Sequence, residues 1–352
     1  MTATSPKSET AISASRRFPS LLLFGSLLAV AVISGLTAFG DIRQLGDAFR
    51  QFTWWLALPI LVLVLANYAL RFLRWEGYLR LLAVPAVPRP TSLLIFIAGF
   101  GMALTPGKVG EVIKCLYLRR LTGVAVGRTG AIIAVERITD GLAMLVLASI
   151  GLTQFTYGRP LLASAAIGAL VVVLLLRRPH FLSSLLARGA HLPLVGRTVE
   201  HAVSFVHASH RLLAPRPLTG AVALGAVAWA GECVAFFLVL VGLGLDPSWH
   251  LLLVATFVLA VSSVIGGISM LPGGLGVSDA SIAAMLVVLL PVSIDRGTAV
   301  AATLLIRFAT LWFSVLIGVG ASAILQRRLA ITHPRPTFVG AHHGADLVGE
   351  AR

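Results

Sequence analysis

Two segments of the chain repeat one chemical pattern. In the first, Leu104-Thr105-Pro106-Gly107-Lys108-Val109-Gly110-Glu111 is followed by Glu136-Arg137-Ile138-Thr139-Asp140. In the second, Leu271-Pro272-Gly273-Gly274-Leu275-Gly276-Val277-Ser278-Asp279 is followed by Ile306-Arg307-Phe308-Ala309-Thr310. Each holds a Pro-Gly break, a further glycine, an acid and, about 31 to 35 residues on, an arginine in an apolar stretch. Proline removes a backbone donor and glycine permits turns and close approach, so the freed N–H and C=O groups need protein, water or ligand. A helix that restarts after such a break points its positive dipole end inward, where it can receive a phosphate. Arg137 and Arg307 can add bidentate phosphate contacts. The candidate substrate-binding set is therefore Pro106, Gly107, Lys108, Gly110, Glu111, Glu136, Arg137, Asp140, Pro272, Gly273, Gly274, Gly276, Asp279 and Arg307.

The elements that must carry these residues are membrane helices. The 352 residues are 57% hydrophobic and 12% charged, with a mean hydropathy of +0.93; soluble domains carry about 25% charged residues. The pattern predicts an all-α polytopic integral membrane protein. Spans are expected at about Leu21–Phe39, Trp54–Leu73, Thr129–Leu152, Leu161–Leu176, Leu218–Leu243, Leu251–Leu271, Ala280–Leu290 and Thr298–Leu325, since roughly 20 apolar residues cross the hydrocarbon core. Leu93–Leu104 is too short to span alone and stops at Thr105-Pro106-Gly107, which predicts a re-entrant or broken helix. Eight spans with re-entrant pieces follow. Paired Gly/Pro-interrupted segments mark the central site of transporters built from internal repeats, and the loop charges place the two motifs on opposite sides, an inverted repeat.

The formal charge of +14 falls in short basic clusters between spans, which argues for topology and anionic headgroups and against nucleic acid. Basic segments at Arg16-Arg17, Arg71 to Arg89, Arg177 to Arg216 and Arg327-Arg328 are placed on the cytoplasmic side, so both termini are cytoplasmic. Residues 1–20 read as a cytoplasmic tail, 21–326 as the membrane domain and 327–352 as a disordered tail. Leu21–Phe39 is too long for a signal-peptide h-region and is read as a retained span. Residues 196–213 alternate apolar and charged side chains as an interfacial amphipathic helix does. His201, His207 and His210 on it have no accompanying carboxylate or cysteine cluster and read as solvated side chains, so no metal or other cofactor is expected. Cys115 and Cys233 sit in apolar surroundings and read as packing residues.

Charges at membrane depth cost roughly 2.5 to 3.5 kcal/mol each on insertion scales, so Glu111, Glu136, Arg137, Asp140, Asp279 and Arg307 must pair or line a wet cavity. Structural ion pairing is the plain alternative for any one of them. Glu232, inside an apolar span after Trp229, is either a proton-relay carboxylate or a hydrogen-bonded packing group. Arg71, Arg74 and Trp75 close the second span as an interfacial anchor, and Arg74 doubles as a headgroup contact.

With these residues assembled, the chain resembles the flippase-like transmembrane domain family of lysylphosphatidylglycerol synthases over about Leu21 to Gln326. The resemblance rests on Arg71-Phe72-Leu73-Arg74-Trp75, Pro106-Gly107-Lys108-Val109-Gly110-Glu111, Glu136-Arg137-Ile138-Thr139-Asp140 and Leu271-Pro272-Gly273-Gly274-Leu275-Gly276. The second motif of that family usually continues to a glutamate, where this chain has Asp279. The resemblance implies translocation of lipids between leaflets in a bacterial plasma (inner) membrane. Full synthases add a soluble aminoacyltransferase domain, and some stand-alone relatives are associated with hopanoid or glycolipid export. Only about 25 residues follow the last expected span, too few for such a domain.

The leading expectation is thus a non-enzymatic flippase for an anionic or phosphate-containing lipid. No Walker-type loop is present, so movement is expected to be passive or gradient-driven. Two alternatives stand: a membrane enzyme using Glu111, Asp140 and Asp279 as acid, base or metal ligands, and an accessory partner of envelope lipid-synthesis enzymes. Membrane lipids are the expected partners under all three.

Overall fold

The computed structural model describes residues 42–105, 110–151, 159–189 and 196–332, with Gly35 standing alone before them. The expected span at 21–39, the Pro106-Gly107-Lys108 corner and the C-terminal tail after 332 lie outside the described residues. Among the described residues there are helices and no strands. They are α1 (Ile42–Gln51), α2 (Ala57–Leu81), α3 (Arg89–Phe100), α4 (Ile113–Thr122), α5 (Val126–Gly151), α6 (Arg159–Leu176) and α7 (Pro179–Gly189). The series continues with α8 (Gly196–Leu212), α9 (Pro215–Gly242), α10 (Trp249–Ile268), α11 (Val277–Leu289), α12 (Arg296–Arg307) and α13 (Phe313–Thr332).

Local chemistry sets the ends. Pro90 and Pro215 occupy the first two positions of α3 and α9, where a missing N–H costs nothing. The Ser248 hydroxyl accepts the Leu251 N–H at 3.1 Å to start α10, and the Asp295 carboxylate accepts the Thr298 N–H at 2.8 Å to start α12. Gly123, at φ 73°, ends α4.

Among the described residues, five helical stretches are long and apolar enough to cross a membrane: Trp54–Leu81, Pro215–Gly242, Trp249–Ile268, Pro272–Leu289 and Arg296–Leu329. The chain is a multi-pass membrane protein. Helix α5, at 26 residues, has the length of a span, but Arg128, Glu136, Arg137 and Asp140 interrupt its apolar character. The piece predicted to break does so: α3 is 12 residues long and stops at Phe100, turns occupy 101–105, and helix resumes at Ile113. Helix α8 turns the buried Val206, Ala208 and Leu212 inward and packs along α5.

The interior is divided. One apolar cluster gathers Leu56, Met144, Leu147, Phe236, Leu240, Val258 and Ile306; a second gathers Trp75, Phe96, Ile132, Val135, Ala221 and Leu325. Helices α2, α5, α9 and the joined α12–α13 contribute to both. On α5 the charged stretch Glu136 to Asp140 lies between them, on α9 Gly225 to Glu232, and on the last helix Arg307 with the segment after it. That segment, Phe308–Trp312, is a π-turn joining α12 to α13. A polar and irregular layer therefore crosses the bundle between two dry ones.

Candidate functional site

α2, the short 3-10 turn at 110–112 with the following α4, and α5 bring seven charged side chains together. Asp140 is the hub: Arg74 donates from Nη2 to Oδ1 at 2.5 Å, while Arg71 and Arg137 stand 3.6 and 3.5 Å from Oδ2. Arg137 also reaches Glu111, at 3.7 Å. Lys114 lies between Glu111 at 3.4 Å and Glu136 at 3.0 Å, with its ammonium over the rings of Trp75 and Phe96 at 5.0 and 5.6 Å. Helical spacing accounts for the local half of this arrangement, because Glu111 and Lys114, and likewise Arg137 and Asp140, are three residues apart. Packing of the three helices supplies the rest.

Four cations face three carboxylates here. The side chains of Arg74 and Lys114 are 2% exposed, whereas Arg137 is 28% exposed and forms the accessible side. Arg71 Nε, Arg74 Nε and Nη1, and Arg137 Nε are buried without a hydrogen-bond acceptor. Buried donors of this kind are normally satisfied, so a cluster of them calls for an acceptor-rich guest or water.

The second motif makes a smaller site. Gly273, Gly274 and Gly276 adopt φ of 60°, 68° and 82°, a left-handed run that side-chain-bearing residues resist. Pro272 and Gly274 are buried in the short 3-10 turn ahead of α11. Asp279, in the first turn of α11, accepts the Gly276 N–H at 2.9 Å and also receives the Nε–H of Arg307. In the first motif Gly110 donates its N–H to the Thr105 hydroxyl at 2.8 Å, drawing the chain back across the break.

The two breaks meet. Leu104 from the first, Leu275 from the second and Leu311 from the π-turn form a small apolar contact, and a Cβ on Gly273 would lie 3.2 Å from the Leu311 methyls. Tyr68 joins the two ionic sites, donating its hydroxyl to the Thr310 carbonyl at 2.8 Å from a position one turn before Arg71. The structure thus assembles Arg74, Glu111, Glu136, Arg137 and Asp140 into one group, and Asp279 with Arg307 and Gly276 into another.

One expectation changes. Arg74 and Trp75 are 4% and 0% exposed, so the Arg71-Arg74-Trp75 end of α2 belongs to the buried site and is not an interfacial anchor. Desolvating the aromatic ring and satisfying Arg74 on Asp140 outweighs snorkelling to the headgroups. Lys114 was not among the residues expected at the site; its three-residue spacing from Glu111 was the available signal. The aromatic faces that hold it come from α2 and α3 and leave no local mark in the sequence.

The UPF0104 membrane protein PH1989 of Pyrococcus horikoshii is 23% identical over 269 residues, covering 68% of this chain and 77% of that protein. A family profile described as Lysylphosphatidylglycerol synthase TM region matches residues 26–318, which contain both breaks, the seven-charge cluster and the Asp279–Arg307 pair. The chain belongs to the lysylphosphatidylglycerol synthase TM region family.

Proposed function

We propose that the protein moves an anionic, phosphate-bearing lipid between the two leaflets of a bacterial plasma membrane. The observation that carries this reading is the cation-rich cluster of Arg71, Arg74, Lys114 and Arg137, whose unpaired guanidinium N–H groups lie in the layer where both broken helices meet. Phosphate oxygens are the acceptors such a fork geometry suits. Glu111 and Asp140 keep the arginines oriented while the site is empty, and Lys114 holds Glu111 and Glu136 in turn. The Asp279–Arg307 pair serves as a second station, reached when two inverted repeats rock against each other.

An enzymatic reading using Glu111 and Asp140 gains nothing from the geometry, since each of these carboxylates is engaged by cations and not turned toward a shared metal position.

The test is movement of acyl-chain-labelled anionic lipids in proteoliposomes. Arg137→Ala, Arg307→Ala and Glu111→Gln are compared with wild type at matched insertion. Loss of one charge-assisted contact worth about 1.5–3 kcal/mol predicts a roughly ten- to hundredfold slower movement for Arg137→Ala. A wild type that moves none of a broad lipid panel defeats the reading. Labelling of Lys108→Cys and Gly274→Cys from opposite sides tests the inversion; exclusive reaction from one side at both positions refutes it.

A further inference from the structure

We infer that Tyr68 is a latch between the two ionic sites: its hydroxyl holds the π-turn so that Arg307 stays closed on Asp279, and the packing of Arg71 sets how firmly it holds. Such a latch acts on the two sites whatever passes between them; under the translocation reading it links the two stations.

The fixed side of the latch is α2. Asn67 Nδ2 donates to the Ala228 carbonyl at 2.9 Å, which ties this turn of α2 to the middle of α9. Tyr68 follows directly, and Arg71 lies three residues on along the same helical face. Both rest on one ring: the Tyr68 and Phe100 ring centroids are 4.9 Å apart, and the Arg71 guanidinium stands 5.5 Å from the Phe100 centroid. Phe100 is the last residue of α3, directly before the first break. Arg71 is also 3.6 Å from Asp140, inside the first ionic site. A change in that site therefore reaches the seat of the Tyr68 ring within one turn of helix.

The pliant side is the π-turn. There the Phe313 N–H reaches back to the Phe308 carbonyl, a wider ring than the α-helix makes, and such turns occur mostly singly and at functional positions. The hydroxyls of Thr310 and Ser314 bond to the Ile306 and Leu311 carbonyls of their own helix, at 2.8 and 2.7 Å. Tyr68 instead reaches the Thr310 carbonyl from another helix, at 2.8 Å. Thr310 lies three residues after Arg307, whose Nε–H is on Asp279, and the next residue, Leu311, covers Leu275 and Leu104 where the breaks meet. Beyond it α13 is pinned where Gly318 meets Gly101. One phenolic hydrogen bond thus holds the segment that closes the second site both ionically and sterically.

The experiment measures how fast N-ethylmaleimide labels Leu275→Cys in proteoliposomes, in a background of Cys115→Ala and Cys233→Ala. Leu275 is 3% exposed and packed against Leu311, so the label enters as often as the π-turn lifts. Tyr68→Phe, which keeps the ring on Phe100, is expected to label about two- to tenfold faster, the change that one net hydrogen bond gives. Ile132→Val, a buried truncation of similar cost to stability in the second apolar cluster, is expected to label at the rate of the unsubstituted background. Arg71→Gln is expected to speed labelling while Tyr68 is present and to add nothing to Tyr68→Phe. Unchanged labelling in Tyr68→Phe, or an equal rise in Ile132→Val, overturns the latch. An Arg71→Gln without effect, or one whose effect multiplies with that of Tyr68→Phe, overturns the link to the first site. Lipid movement plays no part in this readout, so a protein that moves no lipid defeats the translocation reading and leaves the latch to be decided by the labelling.

Discussion

Replacing Asp140 by asparagine keeps the side chain's size and removes the anion that three guanidiniums share. The cluster would pass from four cations and three carboxylates to four and two. Arg137 retains Glu111 at 3.7 Å, and Arg71 retains the faces of Phe100 and Trp229, so neither is stranded. Arg74 is, because its 2.5 Å bond to Asp140 is the ion pair that holds it and its side chain is 2% exposed. Removing one partner of a buried pair costs about 3–5 kcal/mol. Asp140→Asn is accordingly expected to lower stability by that amount, read by tryptophan fluorescence during reversible unfolding in mixed detergent micelles. Adding Arg74→Leu removes the stranded charge and should recover part of the loss, giving a coupling energy of about 2 kcal/mol or more in a double-mutant cycle. A single substitution within about 1 kcal/mol of wild type, or an additive cycle, would refute the argument that Asp140 is the electrostatic centre of the site.

Lys114→Met leaves the buried Glu136 without its cation, while Glu111 keeps Arg137, and should destabilise by about 3–5 kcal/mol in the same assay. Lys114→Arg should not rescue it, since a Cβ on Gly99 would already lie 2.7 Å from Lys114 Cδ and the wider guanidinium lacks room. Gly318→Ala would put a methyl 2.0 Å from the Gly101 backbone nitrogen, so α3 and α13 must separate; a clear fall in melting temperature is expected, and an unchanged one would contradict the crossing. Tyr68→Phe removes the bond to the Thr310 carbonyl and should cost about 0.5–1.5 kcal/mol.

Much of the scaffold was legible because lipid imposes a simple rule on sequence: long apolar runs must be helices. The predicted spans at Leu218–Leu243 and Leu251–Leu271 match α9 and α10 to within a few residues. The Pro-Gly motifs likewise lie a few residues beyond the ends of α3 and α10. What stayed hidden was nonlocal. Arg71 and Trp75 sit near the end of an apolar run, where hydropathy reads them as headgroup anchors; only the packing of α3, α5 and α9 around them makes that place an interior. The aromatic seat of Lys114 depends on side chains from other helices and has no signature along the chain.

The π-turn at Phe308–Trp312 has a consequence for chain length. A π-turn holds one residue more than the α-helix it interrupts, and each residue of an α-helix advances the face by about 100°. Gly318 meets Gly101 backbone to backbone, so α13 has no freedom to rotate by that amount and absorb the extra residue. The surplus is held where it lies, between Arg307 and the glycine crossing. A homologue with an unbroken α-helix here should therefore be one residue shorter between its counterparts of Arg307 and Gly318, and a single deletion in this segment should be tolerated by the packing even where substitutions are not.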